Sequence, residues 1–336
     1  MKKLFVRKLS VVLILALTLL AGCASYGEDQ TYSLRVVCTV FPEYDAVRAI
    51  VGERSDVEVT LLLGPGQDSH SYDPTSHDII SVHSCDIFVY VGGESDVWVR
   101  DMLESVDTSD KTVISLMDTV DVLEEDHVGE DEDEHHHDHH NHSHTVGDDG
   151  VIEDVEYDEH VWTSPVNMIE ITDALCSAMA DKYPAASAEF TANAASYKAE
   201  LESLDSDFRR VASAAADPVI VVADRFPLRY FCEEYGIGYY AAFSGCAAST
   251  EPSSATVDFL IDRVRELSLP VVFKTDMSSG NVAEAVAAAA GAEVRTFYSC
   301  HTITQGDFDA GEGYVSLMRK NLDSLSLALA HKADTN

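Results

Sequence analysis

Three histidines stand out by position. His70 lies in Leu63-Gly64-Pro65-Gly66-Gln67-Asp68-Ser69-His70-Ser71-Tyr72-Asp73-Pro74, a loop just after a β-rich run. His160 lies in Asp158-Glu159-His160-Val161-Trp162-Thr163-Ser164-Pro165, just ahead of a helical stretch. His301 closes Phe297-Tyr298-Ser299-Cys300-His301, again just past a β-rich run. Neutral imidazole is a good ligand for Zn(II), Cu(II), Ni(II) and Fe(II), with Zn–N near ~2.0–2.1 Å. A lone loop histidine is usually a polar surface residue. Three of them at element ends make a candidate metal centre. His77 and His83 fall on an expected helix after Pro74 and read as surface or capping residues, and His331 lies in the tail.

Other histidines cluster differently. Between Glu124 and Glu159 lie eight of them, His127, His135, His136, His137, His139, His140, His142 and His144, interleaved with Asp and Glu. Almost nothing there is apolar before Val151, so the run buries too little surface to offset its ordering entropy. Residues 124–157 are therefore expected to be a disordered loop. Its local density of imidazoles would pick up metal weakly and raise the effective concentration at a fixed site. A solvated acidic spacer is the plainer alternative.

Elements able to position the isolated histidines alternate along the chain. Leu34–Val40, Val57–Leu63, Ile87–Val91 and Thr112–Leu116 are short β-rich runs, with helical segments at Tyr44–Val51 and Ser76–Ser84 between them. After Pro165 comes a helix over Asn167–Tyr183, and Pro184 opens a long helical stretch to about Ala215. Its apolar residues Phe190, Ala194, Tyr197, Leu201, Leu204 and Phe208 recur at three- and four-residue steps, one face of a rod roughly 45 Å long. Alternation then resumes, with strands at Pro218–Ala223, Gly238–Phe243, Pro270–Lys274 and Glu293–Tyr298. Helices follow at Phe231–Tyr235, Ser254–Leu267, Ala283–Ala290 and Gly313–Ala330. The pattern predicts an α/β fold of two parallel-sheet lobes, each with its own core. One long rigid helix joins them, and ligands bind beyond the strands' carboxyl ends, in the cleft between lobes. The N-terminal lobe spans 33–183, the joining helix 184–215 and the C-terminal lobe 216–332.

The N-terminus reads as an export signal. Lys2, Lys3, Arg7 and Lys8 precede the apolar stretch Leu9–Ala21, which is shorter than the ~20 residues of a bilayer span. Leu20-Ala21-Gly22-Cys23 fits a lipoprotein cleavage site. Residues 1–22 would be removed, Cys23 would carry the lipid, and 23–32 would tether the body to the outer face of the cell membrane. A net charge of −37, with no Lys or Arg between Lys111 and Lys182, excludes nucleic acid as a partner and suits a cationic ligand. Cys38, Cys85, Cys176, Cys232, Cys246 and Cys300 form no CxxC, so a zinc ribbon is not expected. They are either disulfide partners or buried thiols.

In this order and spacing the motifs resemble one family, the solute-binding lipoproteins of zinc and manganese ABC importers. Val36–Val40, the Gly64–Pro74 loop, and Phe88-Val89-Tyr90-Val91-Gly92-Gly93 followed by Trp98 look like its N-terminal lobe. His160-Val161-Trp162 with Pro165 looks like its second ligand loop, the rod like its interlobe helix, and the His/acid run like the loop of its zinc members. The resemblance implies a monomer that binds a metal ion and hands it to a membrane permease, and no enzyme. It implies four ligands, with His70, His160 and His301 on three of them. The remaining position, five residues before Tyr230, falls on Arg225, which stays protonated and offers no lone pair. Asp224 after a one-residue shift, Glu251, Asp276 or water are the candidates for it, and Asp224 is the expected one. Histidine dominance favours Zn(II) over Mn(II), the alternative cargo. A zinc hydrolase would also use three histidines and a water, yet the chain has no HExxH and no GxSxG. A surface adhesin is the third class.

Overall fold

The computed structural model describes residues 32–126, 156–245 and 252–330. Cys23, the histidines from His127 to His144, Cys246 and Glu251 lie outside the described residues, and of His70 only the backbone is described. Leu34–Asn336 forms one compact unit.

Two four-stranded parallel sheets organise it. The first contains β1 (Leu34–Cys38), β2 (Val57–Leu61), β3 (Ile87–Tyr90) and β4 (Thr112–Ser115) in the order β2-β1-β3-β4. The second contains β5 (Val219–Phe226), β6 (Gly238–Ser244), β7 (Val271–Thr275) and β8 (Glu293–Phe297) in the order β6-β5-β7-β8. The two orders match. Each sheet reverses its winding beside its first strand, and at such a switch point the loops part to leave a crevice. Among the helices, α1 (Phe41–Val51), α2 (Ser76–Ser84) and α3 (Val97–Ser105) belong to the first lobe. The spine is α4 (Pro165–Lys182) and α5 (Ser187–Ala214). The second lobe carries α6 (Arg229–Tyr235), α7 (Ser254–Glu266), α8 (Asn281–Ala290), α9 (Gln305–Asp309) and α10 (Tyr314–Leu329). Two of these, α3 and α9, are absent from the sequence reading, because their short apolar spacing is too brief to separate from loop.

Helix α5 is the long connector. Its 28 residues, free of Gly and Pro, span ~42 Å. Phe190, Ala194, Tyr197, Leu201, Leu204, Phe208 and Ala212 form its buried stripe. The Asn193 side chain donates to the Ile50 carbonyl of α1 at 3.1 Å, and Phe208 meets Phe231 of α6 edge-on at 4.9 Å. One helix thus grips both lobes.

The lobes do not keep separate cores. A single apolar cluster runs from Val36, Ile50 and Phe88 through Trp162, Phe190 and Phe208 to Phe231, Phe297 and Leu325. Only a smaller cluster, including Val221, Leu260, Val272 and Val286, sits apart on one face of the second sheet. Asp45 of α1 seals the junction, since its Oδ2 accepts from the Tyr197 hydroxyl and the Tyr314 amide, both at 3.0 Å. The described cysteines, Cys38, Cys85, Cys176, Cys232 and Cys300, are buried free thiols.

Asp96, just ahead of α3, is also buried. Its Oδ2 accepts from the amides of Val91 at 2.8 Å and Gly92 at 3.0 Å. Burial outweighs those bonds and, with the charge of Glu159, pushes its carboxyl up to about 7. A carboxyl raised on folding stabilises the native state below its unfolded value and loses that contribution as pH rises through about 7. Asp96→Asn keeps an acceptor oxygen without the charge. It should therefore raise unfolding free energy at both pH values, and by roughly 2 kcal/mol more near pH 8 than near pH 5. Urea denaturation of both proteins at the two pH values checks this.

Candidate metal centre

His160 ends the chain's return from the long insertion. Backbone pairing of Glu125 N with Glu156 O at 2.9 Å and Asp158 N with Leu123 O at 2.9 Å closes the stem of that insertion. Two residues on, Asp158 Oδ1 accepts from the His160 amide at 2.8 Å and lies 3.1 Å from His160 Nδ1. With its proton on Nδ1 toward that carboxylate, the ring carries its lone pair on Nε2, the orientation a metal requires. His160 is only 2% exposed. Burial disfavours its charged form, but Asp158, then Glu159 and Glu125, hold its pKa above the ordinary histidine value. A 3-10 turn, Val161–Thr163, then leads into α4, capped by Ser164.

His301 arrives from the other sheet. Past β8, Cys300 adopts a left-handed backbone, φ 58°, unusual for a residue with a side chain. The surroundings hold that bend: Ser299 N and Oγ both donate to Asp276 Oδ1 at 3.0 Å, and the His301 amide donates to Ser299 Oγ at 3.3 Å. Burial raises the carboxyl of Asp276 above its usual range, although the bonds from Ser299 oppose the shift. The His301 ring reaches across to the first lobe, where its Nε2 lies 2.8 Å from Ser69 Oγ.

Two imidazoles therefore meet. The rings of His160 and His301 are 5.8 Å apart between centroids and nearly perpendicular, at 80°. Trp162 packs against both, at 5.4 and 5.2 Å. Gly245 keeps the space open, because a Cβ there would stand 3.1 Å from His160 Cε1 and 2.9 Å from the Phe226 carbonyl. Ser69, the neighbour of His70, already touches His301, so the 3-10 turn Ser69–Ser71 brings the backbone of the first predicted histidine to this cleft. Among the described residues no three His, Cys, Asp or Glu side chains form a metal-sized group, a set from which the ring of His70 is missing.

The cleft encloses about 120 Å³ and is lined by, among others, Asp68, His160, Arg225, Asp276, Met277 and His301. Asp224 is not part of this lining. Strand β5 runs on to Phe226 rather than ending at Ala223, with a register irregularity between Val222 and Arg225. That irregularity turns Asp224 toward β7, where its Oδ2 accepts from Thr275 N and Oγ1, both at 3.1 Å, while Oδ1 accepts from the Arg225 amide at 2.9 Å. Arg225 faces the cleft instead, its Nη1 3.7 Å from Asp68 Oδ2.

Sequence reasoning overlooked the supporting residues Asp158, Ser69 and Ser299. Asp158 was detectable, since an Asp two residues before a histidine is placed to accept that histidine's amide. Ser69 and Ser299 act through partners far along the chain and left no local signal.

Residues 36–328 match the family described as ZnuA, zinc-uptake complex component A, periplasmic. The chain belongs to this family. Among relatives, the zinc-binding lipoprotein AdcA of Streptococcus pneumoniae is 28% identical over 319 residues, covering 95% of this chain and 60% of AdcA. The chain thus spans about 60% of the length of that longer relative. The high-affinity zinc uptake system protein ZnuA of Bacillus subtilis is 28% identical over 300 residues, covering 89% of each. The Zn(II)-bound ZnuA-like domain of S. pneumoniae AdcA superposes with a TM-score of 0.68 at 26% identity, over 88% of this chain and 98% of that domain. The lipoprotein YcdH of B. subtilis shares the fold at a TM-score of 0.71 and 24% identity, over 88% and 99%.

The pairing of Asp158 with His160 yields a test within this family. Asp158→Asn removes the charge that orients the ring and, with His160 as a metal ligand, should weaken metal binding roughly 10–100-fold with the fold intact. Competition titration against a chromogenic chelator, with circular dichroism as the folding control, measures it.

Proposed function

We propose that this chain captures Zn(II) through His70, His160 and His301 and delivers it to the permease of an ABC-type importer. The observation that carries the reading is the perpendicular approach of two imidazoles from opposite lobes, one of them locked by a carboxylate. Nitrogen-dominated ligation favours Zn(II), since Mn(II) prefers oxygen donors. The names of the AdcA and ZnuA relatives support zinc as the cargo. With Asp224 engaged by Thr275, the fourth position belongs to an oxygen ligand entering from the open cleft.

The His/acid segment is read as an ancillary collector feeding the fixed centre. Its stem joins the body two residues before Asp158 and four before His160. Replacing His160 or His301 by Ala should lower the tight zinc affinity by at least ~100-fold, and His70→Ala should do the same. Deleting residues 127–148 should leave the tight phase in place and remove only weak additional binding. Calorimetric titration of the metal-free proteins reads both. A tight phase that vanishes with the deletion and survives the histidine variants would reverse the assignment. Mn(II) displacing Zn(II) at equal concentration would move the cargo to manganese.

Anchoring completes the reading. No described helix is long and apolar enough to cross a membrane. We assign attachment to a lipid on Cys23, so Cys23→Ala should shift the protein from the membrane pellet to the soluble fraction without changing zinc affinity.

A further inference from the structure

Arg225 is out of keeping with a cation site. Its guanidinium lines the same cleft as His160 and His301. Its ion-pair neighbour, the half-exposed Asp68, is 3.7 Å away, too far for a hydrogen bond, and the guanidinium donates no hydrogen bond to another described residue. The other acid in the lining, Asp276, already accepts two bonds from Ser299. A dication placed between two imidazoles would thus share the cleft with a fixed positive charge that carries five donors. An intervening anion turns that repulsion into two attractions. The space suffices: about 120 Å³ is the liquid volume of roughly four waters, enough for an ion and a small oxyanion. A planar guanidinium matches a planar carboxylate or carbonate through two parallel N–H···O bonds.

We propose that Arg225 is an anion-binding residue, and that zinc is held together with a small carboxylate or carbonate that accepts from Arg225 and binds the metal through a remaining lone pair of a carboxylate oxygen or through carbonate's third oxygen. The proposal rests on the zinc reading above and specifies its open position.

The test is calorimetric titration of the metal-free full-length protein with zinc, in chloride, acetate, bicarbonate or phosphate at matched ionic strength. Anions compete for zinc in solution, so simple competition weakens binding. The proposal expects the opposite, a tight phase at least ~10-fold stronger in acetate or bicarbonate than in chloride. Arg225→Gln should erase that gain, and Arg225→His, which supplies a neutral ligand, should bind tightly in chloride. Should Arg225→Gln fail to fold, the wild-type anion series and Arg225→His decide. Equal tight affinity in all four media, or an anion gain that persists in Arg225→Gln, overturns the proposal while the zinc site stands. A gain in phosphate alone rejects the carboxylate class. Absence of a tight phase in every medium removes the zinc reading and this proposal with it.

Discussion

Trp162 is the residue on which the cleft depends. Wholly buried, it donates from Nε1 to the Ser299 carbonyl at 2.9 Å, and its own carbonyl accepts from the Tyr314 hydroxyl at 2.7 Å. The indole therefore joins the loop that carries His160 to the loop that carries His301, and both to the last helix. Full burial of so large a ring contributes on the order of 3 kcal/mol, and its two hydrogen bonds add direction that apolar packing lacks. Each imidazole rests against one of its faces or edges, so the distance between the rings is set by indole geometry rather than by flexible loops.

Around that anchor the protein distributes its polar groups by role. Carboxylates that orient imidazoles or loops, Asp158 and Asp276, sit inside and are matched by amide, hydroxyl or ring donors. Asp224 belongs to the same class, tying β5 to β7. The cation Arg225 lines the cleft, its Nη1 3.7 Å from Asp68 Oδ2. A buried carboxylate with donors is a positioning device, whereas a guanidinium whose carboxylate neighbour stands 3.7 Å away keeps donors for a further acceptor.

Much of the architecture was legible in the residues. Strand positions followed from short β-branched runs such as Leu34–Cys38 and Val271–Thr275, and the spine from the three- and four-residue recurrence in Phe190–Phe208. These signals are local and strong because burial repeats along one element. His160 and His301 could be singled out because they follow or precede elements in a parallel α/β pattern, where loops converge. The direction of Asp224 and Arg225 could not, since the bulge that re-aims them depends on pairing with β6 and β7, strands more than ten residues away. The union of the two lobes into a single core was equally hidden. Periodicity reports that a face is apolar, never which neighbour covers it.

That continuous core carries a mechanical consequence. Parting the two sheets would expose Trp162, Phe231 and Phe297 to water, a cost far above thermal energy. Any opening of the cleft must instead proceed by small displacements at the rim, where a Cβ built on Gly66 would stand 3.6 Å from the Cε methyl of the half-exposed Met277. For the cargo proposed above, selectivity in such a vessel would rest on a mould already set before the guest arrives.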